Sequence, residues 1–160
     1  MGRVAAVTLD AVEAHPMAAV AARADFAGLP KAIMGSLDKV YEVLRAGDYG
    51  PRGCNTVYYA PMPNGGSVFD ILSGVRLTRP FPGPIGEVVA AETPAGEAAH
   101  AIYFGDYSRM HPAHLAAQGA AREAGRQLTG DSWEVYGDWS NNPDELRTDI
   151  YYLLKAKADG

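Results

Sequence analysis

The chain predicts an α+β fold: tandem duplicated β-α-β-β units forming an antiparallel sheet, with two helices on one side and a central ligand cleft. Three observations in its 160 residues lead there. Two segments carry apolar residues at helical spacing, and each is followed by two segments that alternate like strands. A proline- and glycine-rich stretch separates the two sets. A regular offset between matching residues of the sets points to an internal duplication.

The first half opens with a strand over residues 17–26. A helix follows over 30–46, where Ile33, Leu37, Val40, Tyr41 and Leu44 recur at helical spacing. Pro30 suits its first turn and Gly47 its stop. Strands over 56–60 and 67–72 come next, joined by the turn Pro61-Met62-Pro63-Asn64-Gly65-Gly66. The second half repeats the order. A strand covers 97–104, and a helix covers 110–128, with Leu115, Ala116, Ala120, Ala124 and Leu128 as its buried face. Ser108 is the expected N-cap and Gly130 the expected terminator. Its many small residues let this helix lie close to a sheet. Strands over 132–137 and 149–154 flank Asn141-Asn142-Pro143.

Pro16 and Pro94, Phe26 and Phe104, Leu37 and Leu115, and Tyr58 and Tyr136 all stand 78 apart; Asp70 and Asp149 stand 79 apart. The repeat halves are therefore read as about 14–78 and 92–155 of a single domain spanning 1–160. Their joint, 78–86, holds three prolines and two glycines and excludes regular structure. A cleft is expected where the halves meet, with Thr56 and Tyr58 on one side and Glu134 and Tyr136 on the other. On this register Thr56 takes the place of Glu134.

Bulk properties exclude several classes. With 48% hydrophobic and 21% charged residues, the chain is an ordinary globular one. The net charge is -5, and Lys and Arg are scattered singly. Direct nucleic-acid binding is not expected, because neutralising phosphates needs a basic footprint. The lone Cys54 permits no internal disulfide, which fits a reducing cytoplasm. Neither a signal segment nor a membrane-length apolar run is visible, and Met1-Gly2 does not continue into a myristoylation pattern.

Ser132-Trp133-Glu134-Val135-Tyr136 is the segment that speaks of chemistry. Alternation puts Glu134 and Tyr136 on one strand face and Trp133 and Val135 on the other. Strands deplete Glu, and a buried carboxylate costs several kcal/mol, an order-of-magnitude figure, unless something pairs with it. Either that face is solvated, or it is a pocket wall that wants a cation or a proton.

A family resemblance is carried by Pro80-Phe81 through Gly86-Glu87-Val88, then Pro94-Ala95-Gly96, Tyr103-Phe104-Gly105-Asp106-Tyr107, Trp133-Glu134-Val135-Tyr136 and Thr148-Asp149-Ile150-Tyr151. In order and spacing these resemble the GyrI-like small-molecule-binding domain, the effector-binding module of many AraC- and MerR-type regulators. The resemblance implies a duplicated β-α-β-β fold with an aromatic-lined cleft for lipophilic, often cationic aromatic compounds. It also implies an acidic pocket residue at Glu134. Similar standalone proteins act as hydrolases that open strained cyclopropane rings, and the haem-binding SOUL family shares the fold. Two departures stand out. No helix-turn-helix is seen, so DNA binding is not carried over, and Gly137-Asp138-Trp139-Ser140-Asn141-Asn142 intervenes before Pro143.

The candidate ligand-binding residues are Glu134, Tyr136, Tyr58, Tyr103, Tyr107, Trp139, Phe69 and Tyr41. The tyrosines could equally be core residues of the sheet, and Trp139 could be a lid or a local staple. In an enzyme Glu134 would activate a water and Tyr136 or Tyr58 would donate to a substrate carbonyl. His111 and His114 share a helix face without a third ligand, so no metal is expected. His100 reads as a satisfied core histidine, and Asp106 and Asp149 as turn and strand-end residues. No cofactor is expected. The expected partner is a small molecule, sensed or sequestered; the rival is the ring-opening hydrolase. A protein partner, a regulator or gyrase, is a third reading.

Overall fold

The computed structural model describes residues 2–62 and 66–157. The chain runs β1 (Arg3–Val12), β2 (Pro16–Asp25), α1 (Leu29–Arg45), β3 (Arg52–Tyr59), β4 (Val68–Leu77), β5 (Val88–Glu92), β6 (Gly96–Phe104), α2 (His111–Glu123), β7 (Leu128–Tyr136) and β8 (Arg147–Leu154). Short 3-10 turns at Tyr107–Arg109 and Pro143–Glu145 precede α2 and β8. The centre of the expected 61–66 turn, Pro63, Asn64 and Gly65, lies outside the described residues.

The fold is α+β and antiparallel, with the β-α-β-β order repeated. Two strands, β1 and β5, were not expected from the sequence. They are rich in alanine, which carries little β preference, and their alternation is weak. The chain forms two compact units. One is Ala14–Thr93, with sheet order β5-β2-β4-β3 and helix α1. The other joins Met1–Glu13 to Pro94–Gly160, with order β1-β6-β8-β7 and helix α2. Each repeat's leading strand thus pairs in the opposite unit: β1 lies against β6 and β5 against β2. Where the chain enters and leaves the first unit, His15 N donates to Thr93 Oγ1 at 3.1 Å and Thr93 N to His15 O at 3.0 Å.

The α1 unit packs Val40 and Leu44 against Ala18, Val20, Val75, Leu77, Phe81 and Val88. Gly74 permits a close strand approach here, since a Cβ would sit 1.8 Å from the Ala18 carbonyl oxygen. The α2 unit packs Ala113, Ala117 and Ala121 against Ala99, Ala101, Tyr103, Ile150 and Leu154. The buried stripe of α2 is therefore one of alanines, and the expected Leu115 is 52% exposed. Alanine facing alanine brings helix and sheet close, and a leucine there would hold them apart. The helix is also shorter than expected. It starts after Met110 and ends at Glu123, just before Gly125, whose φ of 69° only glycine takes easily, and Ser108 belongs to the preceding turn.

The repeat register is 77 rather than 78 through the helices and the hairpins that follow. The buried stripes Ser36, Val40, Leu44 and Ala113, Ala117, Ala121 match at that spacing. The strands agree. Asn55, Val57 and Tyr59 pair with Val75, Ser73 and Ile71 on the α1 face, while Ser132, Glu134 and Tyr136 pair with Tyr152, Ile150 and Thr148 on the α2 face. The counterpart of Glu134 is thus Val57 and that of Tyr136 is Tyr59. Thr56 and Tyr58 point to the opposite sheet face from α1, because a one-residue slip in a strand reverses every side chain. Among the described residues no helix is long and apolar enough to cross a membrane.

Candidate functional site

Strand alternation, helix position and two long side chains build the site within the α2 unit. α2 packs over β1, β6 and β8. From β7, which lies beyond β8, Glu134 and Tyr136 rise on the same sheet face as the helix. Glu134 is only 4% exposed. Its Oε2 lies 2.8 Å from His114 Nε2 on α2, and its Oε1 accepts from the Tyr136 hydroxyl at 2.7 Å. On its other side the His114 ring meets the Tyr152 hydroxyl of β8, 2.7 Å from Nδ1.

Gln118, one turn after His114, donates to the Tyr152 oxygen. Burial pushes the Tyr152 phenol up to about 12; the Gln118 bond works against that shift and the Glu134 charge adds to it. With the His114 ring neutral and its hydrogen on Nε2, Nδ1 accepts from Tyr152 and Nε2 donates to Glu134. Around this line stand Tyr107, edge-on to Tyr136 at 5.2 Å, and Tyr152, edge-on to the His114 ring at 5.7 Å. Burial raises the Tyr107 hydroxyl as well. Thr148, the cross-strand partner of Tyr136, has a fully buried hydroxyl with no hydrogen-bond partner among the described residues.

The α1 unit holds a different set at the equivalent positions. His114, Gln118, Glu134 and Tyr152 correspond to Leu37, Tyr41, Val57 and Val75, each 77 residues earlier. One scaffold therefore accommodates a filling that is apolar apart from the Tyr41–Asn55 bond and one that is polar throughout. A carboxylate is not a requirement of the fold at this place.

The expected site residues distribute as follows. Glu134, Tyr136 and Tyr107 come together. Tyr103 is buried beneath α2, its hydroxyl donating to the Asp106 carbonyl at 3.1 Å. Trp139 is 73% exposed in the loop after β7. In the α1 unit Phe69 lies edge-on to Tyr59 at 5.9 Å, and Tyr41 donates to Asn55. Tyr58 lies on the sheet face away from α1. His114 and Tyr152, which the sequence reading did not place in the site, are central to it. Their sequence signal is parity: Tyr152 shares a strand face with Ile150 and Leu154, and His114 borders the Ala113–Ala117 stripe.

The opposite face of this sheet carries a second cluster. His100 on β6 meets Asp10 of β1 at Nδ1 and Asp149 of β8 at Nε2, both at 2.7 Å. Arg147 donates twice to Asp149, at 2.7 and 3.0 Å. Tyr151 stacks on His100 at 4.3 Å, and Trp133 stacks on Tyr151 at 5.2 Å. Asp149 is thus a partner of His100 rather than a plain strand-end residue. Asp106 does serve its turn, accepting from Ser108 N at 2.8 Å.

No protein-family model and no curated protein matches the chain. Solved structures do. The C-terminal domain of EcmrR superposes with a TM-score of 0.74 at 16% identity, covering 94% of this chain and 97% of that one. SAV2435, solved bound to tetraphenylphosphonium, gives 0.66 at 10% identity, covering 94% of both chains. The fold is the GyrI-like fold. A hydrolase from Listeria innocua has this fold too, with a TM-score of 0.62 at 11% identity over 93% of this chain and 91% of that one. Within the GyrI-like fold the present chain thus places a carboxylate, an imidazole and three phenols together in one unit.

Proposed function

We propose that this protein binds lipophilic aromatic cations at Glu134, and that its role is to sense or sequester them. The observation that carries the reading is the buried Glu134 carboxylate set among Tyr107, Tyr136 and Tyr152, where the sister unit has Val57. Placing a carboxylate where valine suffices costs desolvation energy, so its presence calls for a reason in ligand chemistry. Phenol faces attract flat rings and positive charge, and a carboxylate in a low-dielectric setting attracts cations more strongly than one in water. The GyrI-like fold of a protein solved with tetraphenylphosphonium, a cation wrapped in four phenyl rings, supports the same chemistry.

Titration of the purified protein with tetraphenylphosphonium, followed by tryptophan fluorescence, tests this. Saturable binding that falls at least tenfold in Glu134→Gln is expected, with neutral triphenylphosphine oxide little affected. Equal losses for both compounds would sink the charge argument.

A ring-opening hydrolase is the second reading, favoured by the Listeria innocua hydrolase on the same fold. Glu134 would be the base that activates water. Tyr136 already gives its proton to Glu134 Oε1, so it would act by positioning the carboxylate rather than by donating to the substrate. Mass spectrometry of the same mixtures with a strained electrophile separates the readings: product with turnover, lost in Glu134→Ala, marks an enzyme.

A further inference from the structure

We propose that His114 sets the charge a ligand meets at Glu134, so that binding of an organic cation there expels a proton from the His114–Glu134 pair. This rests on the reading that Glu134 receives a cation, and it adds a regulator of that site. Nε2 of His114 is 2.8 Å from Oε2 of Glu134. At that distance an imidazolium neutralises the carboxylate, and an incoming cation then meets a positive neighbour. A neutral imidazole leaves the carboxylate its full charge while still donating the same hydrogen bond.

The surroundings make the two states distinct. From β7 the imidazole faces Glu134 and, through that carboxylate, Tyr136; from β8 it faces Tyr152; its own helix contributes Gln118. Behind Tyr136 stands Tyr107, and Tyr103 lies in the core beneath the helix. In the neutral state Nδ1 accepts the Tyr152 proton. Protonating Nδ1 turns an acceptor into a donor, so the Tyr152 hydroxyl must rotate its hydrogen away while its oxygen still receives Gln118. A ligand cation at Glu134 and an imidazolium at His114 both draw on the charge of one carboxylate, so the two positive charges compete for it. By linkage, whatever binds the deprotonated state promotes proton loss, and proton loss promotes its binding to the same extent.

The test measures tetraphenylphosphonium affinity from pH 5 to 8 for the wild type and His114→Gln, whose amide keeps a donor without a titratable charge. Wild-type affinity should rise with pH, approaching about tenfold per pH unit where one proton leaves per cation bound. His114→Gln should bind with a flat profile. A flat wild-type profile, or the same slope in both proteins, overturns the proposal and leaves the cation reading standing. No saturable binding at any pH overturns both. If His114→Gln fails to fold, wild-type binding heats in two buffers of different ionisation enthalpy count the released protons directly. Equal heats overturn the proposal.

Discussion

Glu134 in one unit and Val57 in the other occupy the same place on the same scaffold, 77 residues apart, each facing the helix of its own unit. The pair separates what the fold needs from what it does not. Valine closes the site with apolar contact, and glutamate closes it with a hydrogen-bonded line through His114 to Tyr152.

Importing the apolar set should therefore be tolerated. The variant His114→Leu/Gln118→Tyr/Glu134→Val/Tyr152→Val exchanges a short helix residue and a large strand residue for the reverse, so volume is nearly kept. Its stability in urea should stay within about 2 kcal/mol of wild type, while cation binding disappears, because removing all partners of a buried hydrogen-bonded line together costs far less than orphaning one of them. His114→Leu alone leaves a Glu134 oxygen short of a donor and should cost about 1–3 kcal/mol. If the fourfold variant is less stable than the single one, the polar line serves folding and not ligands.

The His100 cluster should make stability depend on pH in two directions. Burial by itself would lower His100 below its ordinary 6.5, but the hydrogen bonds to Asp149 and Asp10 outweigh it and raise the imidazole. Burial by itself would raise Asp149, but the bonds from His100 and Arg147 win and depress it from 3.8 to about 2. The raised histidine contributes fully below 6.5 and loses its contribution as pH rises through its folded value. The depressed aspartate contributes above 3.8 and loses its contribution as pH falls through about 2. The cluster therefore stabilises most between these ordinary values of 3.8 and 6.5. Thermal melts of wild type and His100→Ala should differ most at pH 5 to 6 and converge on either side. A constant gap across pH would contradict the ion-pair account.

Helix α2 should respond oppositely to two changes two residues apart. Ala117 is fully buried against the alanines of β6, so Ala117→Leu overpacks the contact and should cost about 1–3 kcal/mol. Gly119 has open space where a Cβ would go, so Gly119→Ala should stabilise by about 0.5–1 kcal/mol through helix propensity. Denaturant midpoints read both. A stabilising Ala117→Leu would mean that helix and sheet are not held at alanine distance.

The antiparallel β-α-β-β order was legible because it rests on local terms: helical spacing at Val40 and Leu44, strand alternation around Glu134, and proline and glycine between the halves. Glu134 itself stood out because a carboxylate opposes strand preference, and only surroundings can explain such a residue. His114 and Tyr152 were not legible as its partners. They lie 20 and 18 residues away on other elements, and no local rule links them until helix and hairpin pack. The repeat register was misread by one residue. Identities such as Tyr58 and Tyr136 match by letter, while packing matches by face, and only paired strands reveal the face. Leu115 was misplaced for a related reason: hydropathy favours leucine for burial, but the distance between α2 and β6 admits only alanine. Sequence alone thus determined the elements and their order, which depend on near neighbours. Tertiary structure decided which faces meet and which polar groups pair, because those depend on distances that close only when the chain is folded.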